Sequence, residues 1–325
     1  MHAIVVDAPG GPEALTYTER PDPRPGPGQA LVRVATAGVN FIDVYHREGR
    51  YPLPLPLVPG SEGAGIVAEV GDGVTHVAPG DRVAWCSVPG SYAELAVVPE
   101  KMLVHVPSGV DLDLAAAAML QGLTAHYLTH STYAVRPGDQ VLVHAAAGGM
   151  GLLLTQLIKL HGGRVIGTVS TEEKEKLARQ AGADDVIRYD QTPFPEQVKE
   201  LTGGRGVDIV YDGVGASTFE GDLQCVRPRA LIALFGAASG PVPPFDLQRL
   251  SGLGSLFVTR PTLAHYVADR DELLGRAHDL FSWIAGGQLR IQVSQRYPLN
   301  EARRAHEDLE GRRTTGKLLL TVRSE

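Results

Sequence analysis

The 325-residue chain carries 43% hydrophobic and 21% charged side chains, close to globular norms, which excludes a peptide-sized fold and wholesale disorder. Its net charge of −7, with no Lys/Arg run longer than a pair, excludes a broad nucleic-acid backbone surface. Two distant cysteines, Cys86 and Cys225, are too few for a thiolate metal cluster or disulfide framework, and no apolar run approaches the roughly 18 residues of a membrane span, so a soluble, cytoplasmic protein without membrane attachment is expected.

The 38 glycines and 23 prolines exceed the usual share of about 12% for the pair, and with Asp they punctuate a succession of short β-like runs in residues 1–110. Those runs, at 30–35, 65–70, 82–85 and 92–98, predict a strongly bent β domain. Residues 111–125 are rich in Ala and Leu and predict a helix, followed by a turn at 135–139. From there strand and helix alternate. Strands are expected at 141–145, 164–169, 185–188, 208–211, 230–235 and 256–258, with helices at 151–161, 171–181, 195–202 and 219–225 between them. Six strands with crossover helices form an α/β doubly wound parallel sheet. A tail with a helix at 271–285, a β run at 292–297, a helix at 300–309 and a strand at 317–322 is too long for another repeat. It is expected to return to the first domain. The domain boundaries are then 1–123 with 261–325, and 124–260.

The run Val141 to Gly151 enters an apolar helix through Ala-Ala-Ala-Gly-Gly-Met-Gly. Aligned on G-x-G-x-x-G, it has Ala146 at the first glycine position and Gly148 and Gly151 at the others. Where side chains are absent a pyrophosphate can approach the backbone, and the following helix turns its unpaired N–H groups toward that anion. The second strand ends at Ser170-Thr171, with Lys174 one turn into the next helix. Hydroxyls and an ammonium suit a 2′-phosphate that a carboxylate would repel, so NADPH is expected over NADH. Glu172 and Glu173 run against this, although acids are common in a helix's first turn.

Other chemistries lack their residues. No serine sits in G-x-S-x-G, and Gly316-Lys317 lacks the rest of a Walker loop. His126 and His130 have i, i+4 spacing but no intervening Glu and no evident third ligand, so structural roles are expected. His144 is expected to be a satisfied core histidine.

Gly38-Val39-Asn40-Phe41-Ile42-Asp43, Gly49-Arg50-Tyr51-Pro52, Pro59-Gly60-Ser61-Glu62-Gly63-Ala64-Gly65, Gly80-Asp81-Arg82-Val83, the Ala-Ala-Gly-Gly-Met-Gly loop, Tyr211-Asp212-Gly213-Val214-Gly215 and Thr315-Gly316-Lys317 follow in this order. This ordered set resembles the quinone oxidoreductase (zeta-crystallin-like) branch of the medium-chain dehydrogenase/reductases, close to the bacterial NADPH:quinone reductases. The resemblance covers essentially the whole chain. It implies a GroES-like catalytic domain beside the Rossmann domain, an NADPH-dependent reductase of quinones, and a homodimer joined through the edge strand at 255–259. Zinc alcohol dehydrogenases of the same superfamily use a cysteine and a Gly-His-Glu as metal ligands. Asn40 and Ser61 stand at those positions here, so no metal is expected, and the acceptor must already be electrophilic: a quinone, or a conjugated alkenal or enone.

By the same resemblance the nicotinamide lies near residues 40–45, with Tyr51 at the mouth of the cleft. Asn40 can donate to the acceptor carbonyl, while Tyr45 and Tyr51 can position the acceptor or supply a proton. Asn40 and Asp43 equally fit the cap of a helix at 41–48, and Tyr45 a core position. Implied cofactor contacts are Phe41, Ile42, Asp43, Thr124, Gly148, Gly149, Met150, Gly151, Ser170, Thr171, Lys174, Tyr189, Phe235, Gly236, Val258, Thr259 and Arg312. Some relatives carry a serine where this chain has Val214 or Gly215. A 2-alkenal or enone reductase and a non-catalytic NADPH-binding protein, crystallin-like or RNA-associated, are the alternatives; the acidic balance disfavours RNA.

Overall fold

The longest strand, Gln29–Val39, organises the first of two units in this computed structural model, which describes residues 1–311 and 313–322. One unit comprises Met1–Leu123 and Tyr266–Glu325, the other Thr124–His265. In the first unit Gln29–Val39 changes neighbours along its length. Its beginning pairs with Leu95–Pro99 and its end with Lys317–Thr321, while Glu62–Val70 runs along its other side, all antiparallel. Register shifts at Leu31/Val32 and Val34/Thr36 in the ladder with Glu62–Val70 accompany this change, as bulges bend a strand and free it to switch partners. The strand is longer than the 30–35 read from sequence because its last residues are held by a distant partner, Leu318 lying opposite Val39.

The sheet continues from Glu62–Val70 through Arg82–Cys86 to Val104–His105 and, beyond Lys317–Thr321, to Val293–Pro298. Val32, Val34, Val83, Trp85 and Val98 close one apolar cluster at 0% exposure, each such burial contributing about 1.5–3 kcal/mol before entropy is counted. A second cluster gathers Ile4, Val6, Val39, Tyr92, Tyr297, Leu318 and Leu320. The chain leaves the long strand at Asn40, in extended conformation, and enters the helix Phe41–Arg47.

The second unit is a six-stranded parallel sheet in the order Asp185–Arg188, Arg164–Val169, Gln140–Val143, Val207–Asp212, Val226–Leu234, Phe257–Thr259. Helices Gly149–Leu160, Glu172–Gln180, Phe194–Leu201 and Phe219–Cys225 connect its strands. Val141, Leu142, Val143, Ile209 and Val210 are fully buried, as strands covered on both faces require. Strand order reverses between Gln140–Val143 and Val207–Asp212, and in open parallel sheets ligands bind outside the carboxyl ends of the strands at such a point. Val226–Leu234 begins earlier than the 230 expected, since Val226 already pairs with Val207 across an irregularity. No helix among the described residues is long and apolar enough to cross a membrane.

Candidate active site

In the second unit the loop after Gln140–Val143 is shaped by steric exclusion. Ala145 takes a φ of +51°, and a Cβ on Gly151 would lie 2.3 Å from the Ala145 carbonyl oxygen and 2.6 Å from Ala146 Cα. Gly151 therefore lets the helix Gly149–Leu160 start directly against the loop. Gly148 serves differently, because an added Cβ would meet only the Ala145 oxygen, at 3.2 Å, leaving its outward face open. Gly148 is the N-cap and no side chain caps the helix, so its first-turn N–H groups suit an anion. The unorthodox Ala146 is explained by the neighbouring strand, where a Cβ on Gly167 would fall 2.7 Å from the Ala146 methyl. His144 anchors the loop from behind, bonded through Nδ1 to Thr168 Oγ1 at 2.9 Å and through Nε2 to Asp222 Oδ1 at 2.7 Å.

At the end of Arg164–Val169, Thr171 Oγ1 caps the next helix by accepting the Lys174 N–H, and Lys174 Nζ donates to Ser170 Oγ at 3.4 Å. The ammonium and the hydroxyl thus share one corner. Of the two acids that run against NADPH, both exposed, Glu172 is engaged by Lys176 at 2.8 Å and Glu173 is hydrogen-bonded by the Thr171 side chain. Tyr189 follows the strand Asp185–Arg188 and is 49% exposed. Phe235 and Gly236 follow Val226–Leu234, where a Cβ on Gly236 would lie 2.5 Å from the Gly213 oxygen. Gly215, with φ +90°, and Val214 both donate their N–H to Asp212 Oδ1, so this turn holds itself without the serine of some relatives. Val258 and Thr259 lie in the edge strand, and Thr124, 9% exposed, in the helix Leu112–Tyr127. Phosphate loop, Ser170, Tyr189, Gly213 and Phe235 all sit at carboxyl ends of parallel strands. These groups fit a dinucleotide with a 2′-phosphate; Arg312, also an expected contact, lies outside the described residues.

In the first unit Asn40 is 4% exposed and enmeshed. Its Oδ1 accepts from Lys317 Nζ at 2.7 Å and Gln121 Nε2 at 3.3 Å, and its Nδ2 donates to Glu62 Oε1 at 2.7 Å. Lys317 also donates to Glu62 Oε1, while Leu120 N–H donates to Glu62 Oε2 at 2.6 Å. One Nδ2 hydrogen of Asn40 is thereby committed and the other has no partner among the described residues.

Asp43 is placed differently from its expected role as a cofactor contact. It is fully buried, and its carboxylate accepts from Ser61 Oγ at 2.7 Å, the Asn40 N–H at 3.0 Å and Tyr92 OH at 3.2 Å. Burial pushes its pKa up to about 6 against the pull of the Ser61 and Asn40 donors. Asp43 positions Ser61 and the start of the helix Phe41–Arg47, as the capping alternative required. The same helix carries Phe41 and Ile42, both half-buried. Tyr45 is 8% exposed and Tyr51 44%, their rings meeting edge to face at 5.5 Å with the Arg50 guanidinium 5.5 Å from the Tyr45 centroid. Tyr45 thus props the exposed Tyr51.

Zinc does not fit here: the positions of the metal ligands hold an amide and a hydroxyl, and the adjacent carboxylate, Glu62, already carries the Lys317 ammonium. Among the described residues no group of three or more His, Cys, Asp or Glu is arranged for a metal ion. His126 and His130 stack at 4.0 Å between centroids.

Residues 26–108 match the alcohol dehydrogenase GroES-like domain and residues 149–271 the zinc-binding dehydrogenase family. A quinone oxidoreductase of Pseudomonas aeruginosa is 50% identical over 96% of each chain, and a 2-haloacrylate reductase of a Burkholderia species 44% identical over 98% of each. The crystal structure of Escherichia coli quinone oxidoreductase complexed with NADPH aligns with a TM-score of 0.97 at 42% identity, covering 99% of this chain and 100% of that one. With a GroES-like unit, a Rossmann sheet and full-length relatives of this kind, the chain belongs to the quinone oxidoreductase family of the medium-chain dehydrogenase/reductases.

Proposed function

We infer that the protein is an NADPH-dependent, zinc-independent quinone oxidoreductase. The observation that carries this is the Asn40 amide, buried, gripped through its oxygen and left with one N–H to give. Gly148, Gly149, Met150 and Gly151 hold the pyrophosphate of the cofactor, Ser170, Thr171 and Lys174 its 2′-phosphate, and Tyr189 its adenosine side. Phe235, Gly236, Val258 and Thr259 take the nicotinamide side. NADPH, when bound, supplies the hydride, and one proton from water completes the hydroquinone. Asn40 donates to the acceptor carbonyl oxygen as negative charge grows there, a donation that strengthens toward the transition state. The exposed Tyr51 phenol orients the acceptor ring and, with enones, protonates the product carbanion.

The test is NADPH oxidation, followed by absorbance, with a panel of quinones and 2-alkenals. Tight NADPH binding with no acceptor turned over would sink the enzyme reading and leave a binding protein. A second reading, reduction of activated alkenes, is favoured by the 2-haloacrylate reductase relative and by the same exposed tyrosine. Tyr51→Phe is expected to lower kcat for enones at least tenfold with little change for quinones; an unaltered kcat would reduce Tyr51 to packing. Lys174→Ala should raise the KM for NADPH roughly tenfold and leave that for NADH unchanged, because only the former carries the 2′-phosphate. Equal effects on both would remove Lys174 from the site.

A homodimer accords with the edge position of Phe257–Thr259, where Phe257 is 61% exposed and a second copy would cover the strand. A reducing cytoplasmic setting accords with the free, buried Cys86 and Cys225.

A further inference from the structure

We propose that Lys317 is a positioning residue for the reduction, polarising the Asn40 amide so that its remaining N–H stabilises charge on the acceptor oxygen. This rests on the reading of Asn40 as the donor to the acceptor carbonyl. Of the six lysines in the chain, Lys317 alone is buried, at 1% exposure. Its place is built by several elements. Gly316, at φ +62°, could not carry a Cβ, which would lie 2.4 Å from the Gln292 oxygen, and the Lys317 N–H bonds that same oxygen at 2.8 Å. Leu318 pairs with Val39, which sets Lys317 abreast of Asn40. On the other side Gly38 makes room for the carboxylate, since a Cβ there would fall 2.0 Å from Glu62 Oε1.

Stability does not explain this arrangement. Taking an ammonium and a carboxylate out of water costs about as much as their attraction returns, and an apolar pair of similar volume does as well or better. What the pair accomplishes is directional. The Glu62 carboxylate neutralises the ammonium and orients one Asn40 N–H, while the ammonium and Gln121 draw electron density onto Asn40 Oδ1. An amide with its oxygen so loaded is a stronger N–H donor, and the low-dielectric surroundings preserve the effect. The protein thereby obtains electrophilic assistance from a fixed lysine acting through an amide.

The consequence is a dependence on the acceptor. Quinones that take hydride readily need little help, and poorly oxidising ones need most. In Glu62→Gln/Lys317→Met, which removes both buried charges together, kcat is expected to fall about tenfold with 1,4-benzoquinone and about a hundredfold with tetramethyl-1,4-benzoquinone. The Kd for NADPH, read by fluorescence, stays within about twofold. Glu62→Gln/Lys317→Gln keeps polar groups in place without charge; it serves as the second variant should the first fail to fold, and the same acceptor-dependent loss is expected. Asn40→Ala is measured alongside. If Asn40→Ala is slow while a folded double variant matches wild type with both quinones, the role of Lys317 is overturned and the Asn40 reading stands. Wild-type rates in Asn40→Ala overturn both. An equal loss with the two quinones also overturns the proposal, because displaced structure would slow every acceptor alike.

Discussion

Gly151→Ala is expected to lower NADPH affinity more than tenfold and to destabilise the fold by about 1–3 kcal/mol, whereas Gly148→Ala should lower the affinity and barely move the unfolding midpoint. The difference follows from what each added methyl meets. At Gly151 it would be driven to 2.3 Å from the Ala145 oxygen and within 2.7 Å of the Ala146 carbonyl carbon, backbone atoms that no rotamer change can clear. Helix and loop must separate, and the first-turn N–H groups then leave the position that the proposed function gives them for receiving a pyrophosphate. At Gly148 the nearest protein atom is the Ala145 oxygen at 3.2 Å, so the methyl is nearly accommodated and projects where the ligand must approach. Urea unfolding and fluorescence titration of each variant check this. If Gly148→Ala bound NADPH as wild type does, the loop would not be the phosphate site. If Gly151→Ala lost no stability, the close approach of helix to loop would not be needed.

The same loop shows how far sequence alone reaches. The alternation of apolar strands and helices, and the turn residues between them, located the Rossmann sheet because each element is specified by its own residues. Strands 164–169 and 185–188 and the helix 219–225 coincide with the observed ones to the residue. Ala146, a departure from the fingerprint, has its methyl accommodated by Gly167 on the next strand. Contacts of that kind are set by sheet register, which no local spacing encodes. His144, expected to be a satisfied core residue, has both ring nitrogens bonded, although its partners, Thr168 and Asp222, come from two other elements. In the first unit the motifs pointed to Asn40 but not to its surroundings. Lys317 stands 277 positions from Asn40, and only the antiparallel return of the last strand joins them. The family resemblance implies Asp43 as a cofactor contact, while its place three residues after Asn40 signals the helix cap; its bonds to Ser61 and Tyr92 come from distant segments that no local spacing signals. Arg47 and His306, 259 positions apart, likewise meet only through the fold.

Those last residues set an acid limit on the first unit, and His306→Asn is expected to relieve it. Arg47 is fully buried and can only donate; its Nη1 meets His306 Nδ1 at 3.1 Å, so the ring proton sits on Nε2, which donates to Tyr92 OH at 3.1 Å. Tyr92 in turn donates to Asp43, and Arg47 spans to Glu310 at 2.7 and 3.2 Å. Every donor and acceptor along this line is used in one direction. A proton on Nδ1 would break the line and face the guanidinium in a site closed to water, and burial with the Arg47 charge pushes His306 down to about 3. The unfolded chain has no such restriction and takes up the proton near pH 6.5. As pH falls below that value the unfolded state therefore binds a proton that the native state refuses, and stability declines until about pH 3. Between pH 7 and 5 the loss from this one ring is about 2 kcal/mol, a large part of a typical domain's 5–15. Asp43, raised to about 6, works in the opposite sense, since the native state takes its proton first. It is present in both proteins and cancels in the comparison. The change in unfolding free energy from pH 7 to pH 5, measured by urea, should accordingly be about 2 kcal/mol more favourable in His306→Asn than in wild type, even if the variant is less stable at pH 7. A difference below about 0.5 kcal/mol would mean that His306 takes up its proton in the native state with little penalty, and that the Arg47 contact does not hold it neutral.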